Sequence, residues 1–235
     1  MINESTKTTL SNIELIIFDW DDVFTLGATG GYYKCFHEAI VGVEIELTPD
    51  EEKKRIDAKW GSSHVEGIGE LLKEHPELVK EASKLYEQHL HGTTFTDCLK
   101  IVPGSVEFLS RLSKKYTLAI STGLHPVLLR ERIMPAFGID PSLFTQIISV
   151  YDLKDSTHAK PDPFSAKKIM QTQNTEPSST IMVGDAGNDI RMAQAAGIEG
   201  VAVLTGHLSK NQAEALGVRH IIRDVTQLET ILGKF

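Results

Sequence analysis

Four short stretches carry residue types that can handle a charged ligand, and each follows an apolar run. Ile16-Ile17-Phe18-Asp19-Trp20-Asp21-Asp22-Val23 ends a hydrophobic segment in three carboxylates within four residues. Alternate side chains of extended backbone share a face, so Asp19 and Asp21 could hold one ligand, metal ion or reacting group; an Asx turn closing a strand would use the same residues. Ser121-Thr122-Gly123 sets a hydroxyl beside a glycine, where Oγ and backbone N–H groups can hold a phosphate oxygen or simply make a turn. Lys160-Pro161-Asp162-Pro163 restricts the backbone on both sides of Asp162. A fixed ammonium facing carboxylates could neutralise them and grip a phosphoryl oxygen, although a stiff helix entry with a solvated lysine reads the same way. Gly184-Asp185-Ala186-Gly187-Asn188-Asp189 places two acids four apart around a turn. Such a donor set suits Mg²⁺, which takes one or two carboxylates and keeps several waters; Asp189 could instead be the N-cap of the next helix.

These stretches need a scaffold that brings them to one place. Residues 13–18 (Ile-Glu-Leu-Ile-Ile-Phe) are apolar enough for a strand buried on both faces, and ligands of open α/β sheets bind beyond the carboxyl ends of such strands. From Val102 onward the pattern alternates, with strands expected over 116–121, 144–150, 180–183, 200–204 and 220–223. Helices fit 104–115, 126–137, 163–173, 189–196, 210–216 and 226–232. Strands alternating with helices imply parallel pairing through right-handed crossovers, hence an α/β doubly wound sheet. Between the first strand and Cys98 the period is helical instead, over 32–41, 49–60, 65–74 and 76–90, as in Leu78, Ala82 and Leu85. Proline and acids at Pro49-Asp50-Glu51-Glu52 and Pro76-Glu77 suit helix starts. The chain therefore divides into an α/β core, residues 1–26 and 99–235, and a smaller helical domain, residues 27–98, inserted after the first strand and poised over the carboxyl edge. Thr25 to Gly31, rich in small residues, reads as a flexible hinge.

Composition narrows the function classes. With 24 Lys+Arg against 32 Asp+Glu, the formal net charge of -8 argues against nucleic-acid binding. Cys35 and Cys98 form no metal-ligating pattern and suggest no disulfide framework, which fits a reducing cytoplasm. The polar stretch Met1 to Asn12 lacks the apolar core of a signal peptide, and no run of 18 apolar residues predicts a membrane span. The expected partner is a small molecule, with the protein a monomer or weak dimer.

In chain order the four stretches read Asp-x-Asp, Ser/Thr, Lys-Pro and Gly-Asp-x-x-x-Asp, each at a strand end. That set resembles the four motifs of the haloacid dehalogenase superfamily. The likeness runs from about Ile13 onward, since the helical insertion is similar to that family's first-position cap. The resemblance implies a Rossmann-like core under a helical cap, and a Mg²⁺-dependent phosphatase that hydrolyses a small phosphomonoester through an aspartyl-phosphate. It implies Asp19 as nucleophile and Asp21 as general acid/base. Thr122, at the strand's exit, is the better match for the hydroxyl, and Thr122, Gly123 and Lys160 would bind the phosphate. The metal site would comprise Asp19, Asp185 and the backbone carbonyl of Asp21, with Asp189 holding Lys160 or a metal-bound water. Physical argument agrees with this division. A carboxylate attacking a phosphate dianion meets repulsion that Mg²⁺ and Lys160 would relieve, and Asp21 can serve both halves of a covalent route only by changing protonation state.

Two residues depart from the pattern. Asp22 stands where the family usually has glycine, and Phe24 where leucine is usual. Asp tolerates left-handed backbone angles, though its charge could alter metal binding or loop mobility; if the position merely drifted, Asp22→Gly leaves activity intact or raises it. Substrate choice in such enzymes is attributed to the cap, where Lys34, His37, Lys59, His64 and Glu66 could face the site and Gly61-Ser62-Ser63 could form a specificity turn. Each equally suits a solvated helix face, as His158 suits the surface and Trp60 the core of the cap. Phosphoglycolate-like compounds, sugar phosphates and pyrophosphate all fit as substrates. A sugar phosphomutase similar to β-phosphoglucomutase is the alternative enzyme, and a catalytically lapsed phosphate-binding protein or a phospho-acceptor module are the non-enzymatic ones. The last lacks a large helical insertion.

Overall fold

Runs of β-branched and apolar residues supply the strands of the main sheet. The structure, a computed structural model, describes residues 10–232. Of the stretches assigned above, the start of the polar N-terminus through residue 9 and the last core residues, 233–235, lie outside the described residues. In chain order the strands are β1 (Leu15–Phe18), β2 (Thr25–Leu26), β3 (Lys100–Ile101), β4 (Thr117–Thr122), β5 (Gln146–Ser149), β6 (Thr180–Gly184), β7 (Glu199–Val203) and β8 (His220–Ile222). Six of them form one parallel sheet in the order β5-β4-β1-β6-β7-β8, the expected doubly wound α/β architecture.

The helices are α1 (Ala28–Val41), α2 (Pro49–Ala58), α3 (His64–Leu71), α4 (Val79–His91), α5 (Thr93–Thr96) and α6 (Ser105–Leu112). After them come α7 (Pro126–Leu128) and α8 (Met134–Ala136), joined by a π-helical turn over Leu129–Ile133. The last four are α9 (Phe164–Gln173), α10 (Gly187–Ala196), α11 (Lys210–Ala215) and α12 (Glu229–Leu232). Among the described residues no helix is long and apolar enough to cross a membrane.

Strand β1 is wholly buried, and its side chains alternate between two apolar layers. Ile16 and Phe18 pack with Phe108, Leu112 and Leu228 on one face, whereas Leu15 and Ile17 pack with Ala166, Ile169 and Met192 on the other. Helices therefore cover both faces, which is why the strands read as continuous apolar runs.

Helices α1 to α5 lie between β2 and β3, which pair antiparallel with Thr25 opposite Ile101 and Leu26 opposite Lys100. The chain thus leaves and re-enters the core through one narrow ribbon. Sequence reading placed a flexible hinge over Thr25 to Gly31, and the structure corrects it. Thr25 and Leu26 are β2, and α1 begins at Ala28, four residues before the expected Tyr32. The glycines here serve close approach: a Cβ on Gly27, whose φ is 89°, would fall 2.4 Å from the Cys98 carbonyl oxygen, and one on Gly31 would meet the Phe95 ring at 2.8 Å. Short β2, β3 and α5 escaped the sequence reading because two or four residues carry no period.

Asp22 accounts for the early helix start. Its φ of 53° is left-handed, and its carboxylate accepts hydrogen bonds from the N–H groups of Gly27 (3.0 Å), Ala28 (3.2 Å) and Thr29 (3.1 Å) and from Thr29 Oγ1 (2.6 Å). An anion at the positive end of α1 satisfies amides that no helical carbonyl reaches. The position is therefore not idle. Asp22→Gly is expected to destabilise the protein by about 1–2 kcal/mol, the cost of a lost helix cap net of glycine's ease in left-handed backbone. Urea unfolding would measure it, with Asp22→Asn falling between the two.

Candidate active site

Strand register delivers the motifs to one edge. Phe18 of β1 lies opposite Ile120 of β4 and Val183 of β6, so Asp19, Thr122 and Asp185 leave the sheet side by side. The Asp19 N–H still donates to the Val183 carbonyl at 2.9 Å, which fixes where the chain turns. Trp20 points into the core, against Phe24 and Phe144. Asp19 and Asp21, on either side of it, both line a cavity of about 160 Å³ between the sheet edge and helices α1 to α4.

Lys160 ties the floor together. Its Nζ lies 2.7 Å from Asp189 Oδ1, 3.0 Å from Asp19 Oδ1 and 3.2 Å from the Ser121 carbonyl oxygen. Burial alone would lower its pKa, but the charges of Asp189 and Asp19 outweigh that and hold it above the ordinary lysine value. Asp189 does two jobs: Oδ1 takes Lys160 while Oδ2 accepts the Ala186 N–H at 3.0 Å at the start of α10. Asp189 thus meets Lys160, but the N-cap place suggested for it falls to Ala186; Asp189 is the third residue of α10 and reaches back to the Ala186 N–H. A Cβ on Gly184 would sit 2.4 Å from that carboxylate, so only glycine fits there.

The remaining acids are strained electrostatically. Burial pushes Asp19 up to about 6 against the pull of Lys160. Asp21 is pushed up to about 8, by burial first and then by the charge of Asp19. Asp185 is held well above the usual carboxylate range by burial, Asp189 and Asp19. Its Oδ2 accepts the His207 N–H at 3.0 Å, and a Cβ on Gly206 would lie 1.8 Å from that oxygen. The loop after β7 thus wraps Asp185 closely.

A hard divalent cation fits this donor set. Oδ1 of Asp19 and Oδ1 of Asp21 are buried without a hydrogen-bond partner. The first has Lys160 within ion-pair distance, yet the angle makes no hydrogen bond. Carboxylate oxygens of Asp19, Asp185 and Asp189 lie within 4.8 Å of one another, as do ligand atoms of Asp22, Asp185 and His207. Because Asp22 is engaged at α1 and Asp189 at Lys160, the acids with capacity to spare are Asp19 and Asp185. One ammonium among so many carboxylates leaves a deficit that Mg²⁺ would fill. The Asp21 carboxylate belongs to neither group; only its backbone was assigned to the metal by resemblance.

The other expected residues sort by place. Thr122 and Gly123 line the cavity, and Thr122 Oγ1 accepts the Leu124 N–H at 3.1 Å. The Ser121 hydroxyl is spent on Ser165 Oγ at 2.8 Å, which favours Thr122 as the free hydroxyl. Lys59, His64 and the Gly61-Ser62-Ser63 turn line the cavity, whereas Lys34, His37 and Glu66 are not in its walls. His37 pairs with Glu52, and Glu66 caps α3 through Ser63. His158 stacks on Phe164, and Trp60 meets the His207 ring at 4.7 Å with the planes tilted by 54°; His158 and Trp60 both line the cavity. Trp60 therefore touches the core loop as well as the helices.

Sequence reading missed Tyr32. Its hydroxyl donates to Asp21 Oδ2 at 2.6 Å from helix α1. Nothing marks it in the sequence, since Tyr32 and Phe36 share the spacing of ordinary helix-packing residues.

The family model for haloacid dehalogenase-like hydrolases matches residues 13–197. Among curated proteins, the chain is 36% identical over 92 residues to the pyrophosphatase PpaX of Oceanobacillus iheyensis, covering 39% of this chain and 42% of that protein. It is 29% identical over 136 residues to a phosphoglycolate phosphatase of Aliivibrio fischeri, covering 56% of each. The chain thus spans about half the length of these relatives. A crystal structure from Haemophilus somnus, described as that of a predicted phosphoglycolate phosphatase, superposes with a TM-score of 0.80 at 20% identity, covering 95% of this chain and 100% of that one. At that identity the likeness shows the fold.

The buried charge balance gives a stability test. A carboxylate whose folded pKa is raised gains a proton on folding, so its cost is relieved below that pKa and complete above it. Removing the ammonium by Lys160→Met leaves Asp19 and Asp189 unpaired and is expected to cost about 3 kcal/mol or more at pH 8. The loss should shrink toward pH 5, because Asp19 sits at about 6 even with Lys160 present and rises further without it. Urea midpoints at the two pH values in metal-free buffer would measure it.

Proposed function

The chain belongs to the haloacid dehalogenase-like hydrolase family, and from that basis we propose that it is a Mg²⁺-dependent phosphatase acting on a small phosphomonoester. The observation that carries this reading is the unequal treatment of two acids in one cavity. Asp19 lies against Lys160 at 3.0 Å, while Asp21, two residues on, receives the Tyr32 hydroxyl at 2.6 Å and is pushed up to about 8. One carboxylate is arranged to be an anion and its neighbour to carry a proton, the separation that a nucleophile and a general acid require.

Asp19 attacks phosphorus as the bond to the substrate's alcohol oxygen breaks, and Asp21 gives that oxygen its proton. The product of this half is an aspartyl-phosphate on Asp19. Asp21, now a carboxylate, then takes a proton from water as the water oxygen attacks phosphorus. Inorganic phosphate leaves, and Asp19 and Asp21 return to their starting states. Lys160 and Thr122 hold phosphoryl oxygens, Gly123 lets backbone approach them, and Asp189 keeps Lys160 in place. Asp19, Asp185 and the Asp21 carbonyl would hold Mg²⁺, which supplies charge neutralisation of the phosphoryl group when bound. Residues 27–98 act as a cap over a core of residues 1–26 and 99–235, with Tyr32 reaching from one to the other.

Asp19→Asn is expected to abolish phosphate release with Mg²⁺ present while the circular dichroism spectrum is kept; an active variant would sink the mechanism. Tyr32→Phe removes a hydrogen bond that favours the Asp21 carboxylate, so Asp21 stays protonated to higher pH. The alkaline limb of the kcat profile should therefore move upward, measured on one phosphomonoester across pH 6 to 10.

A further inference from the structure

The cavity's upper wall differs from its floor. Tyr32 and Phe36 of α1 and Tyr86 and Leu90 of α4 face it, with His64 and Tyr151 beside them. The His64 ring lies parallel to Tyr86 at 5.1 Å and 6° and stacks on Tyr151 at 6.0 Å, where Nδ1 meets the Tyr151 hydroxyl at 3.1 Å. His125 packs on the other side of Tyr151 at 4.8 Å, and its Nδ1 is buried without a hydrogen-bond partner. Stacked largely on one another, these rings form an apolar shelf of ring edges above the phosphate end.

Charge is sparse on that shelf. Among the described residues the walls hold no arginine, and their two lysines are Lys160, clasped by Asp19 and Asp189, and Lys59, whose side chain is exposed. Burial lowers the pKa of both His64 and His125 below the ordinary histidine value, so neither offers a dependable cation at neutral pH. Glu87 lies 3.4 Å from His64 Nε2 and adds a negative charge behind the shelf. A substrate carboxylate here would be desolvated among rings and near Glu87, with no cation buried among those rings to receive it. A neutral ring would instead bury its faces against the edges of these rings and the side chains of Phe36 and Leu90, with His125 Nδ1 left to meet one polar edge atom.

We propose that the alcohol carried by the substrate bears an uncharged aromatic or heteroaromatic ring and no carboxylate, with Tyr86, Tyr151 and His64 forming its binding wall. The proposal rests on the phosphatase reading above and sets this chain apart from an enzyme for phosphorylated short acids.

Benzyl phosphate, ethyl phosphate and 2-phosphoglycolate are all esters of primary alcohols, so leaving-group reactivity is nearly matched and the pocket decides. With Mg²⁺, kcat/KM for benzyl phosphate is expected to exceed that for ethyl phosphate by at least about tenfold, with 2-phosphoglycolate below both. Tyr151→Ala should reduce the benzyl-to-ethyl ratio by about fivefold or more, and Tyr151→Phe, which keeps the ring, should preserve it. Turnover of 2-phosphoglycolate above benzyl phosphate would overturn the proposal and leave the phosphatase reading standing. A ratio unmoved by Tyr151→Ala would overturn the assigned wall. Failure to hydrolyse any of the three would remove both readings.

Discussion

Everything at this site depends on one ammonium group placed among carboxylates at the sheet's edge. Lys160 is buried at a cost, and it remains protonated because Asp189 and Asp19 surround it. In turn those acids tolerate burial because Lys160 is there. Neither side would be stable alone. The surroundings are shaped to this contact: Gly184 leaves room for the Asp189 carboxylate, and Gly206 for that of Asp185. The positive charge still falls short of the negative, a balance that a divalent cation would restore.

Parallel strands make such concentration possible. A parallel sheet brings the ends of β4, β1 and β6 to one side, so residues far apart in the chain arrive within a few ångströms. The same arrangement leaves that side open. Helices α1 to α4 close it, and Tyr32 takes the closure down to the hydroxyl of a single side chain touching Asp21. Floor and roof thus meet at that hydrogen bond.

The floor was legible in the sequence and the roof only in part. Asp19 and Asp185 could be found because each sits where an apolar run stops, and an acid after such a run has few structural excuses; Lys160 was marked by the prolines that follow it and Asp189 by its spacing from Asp185. Thr122 could be preferred to Ser121 by counting to the strand's exit, and the Ser121–Ser165 hydrogen bond agrees. Tyr32 and Tyr86 look like any amphipathic helix residue, because helical periodicity marks the buried face without saying what lies opposite it, whereas Lys59, His64 and the Gly61-Ser62-Ser63 turn could be singled out and do line the cavity. Asp22 shows a further limit. Its backbone angle could be anticipated from residue type, but its four hydrogen bonds to α1 depend on a helix start that glycines at 27, 30 and 31 had disguised as a flexible loop.

The β2–β3 ribbon has a consequence of a different kind. Because Thr25 and Ile101 are neighbours, the intervening helices hang from the core by adjacent threads, and the core's sheet closes without any strand from them. The roof can therefore accumulate substitutions, or be exchanged for another, without re-registering the strands beneath it. Inheritance can act on the two halves at different speeds. The lysine and its acids stay tied to the strand ends, while Tyr32, Phe36 and Tyr86 belong to helices on which no strand of the main sheet depends.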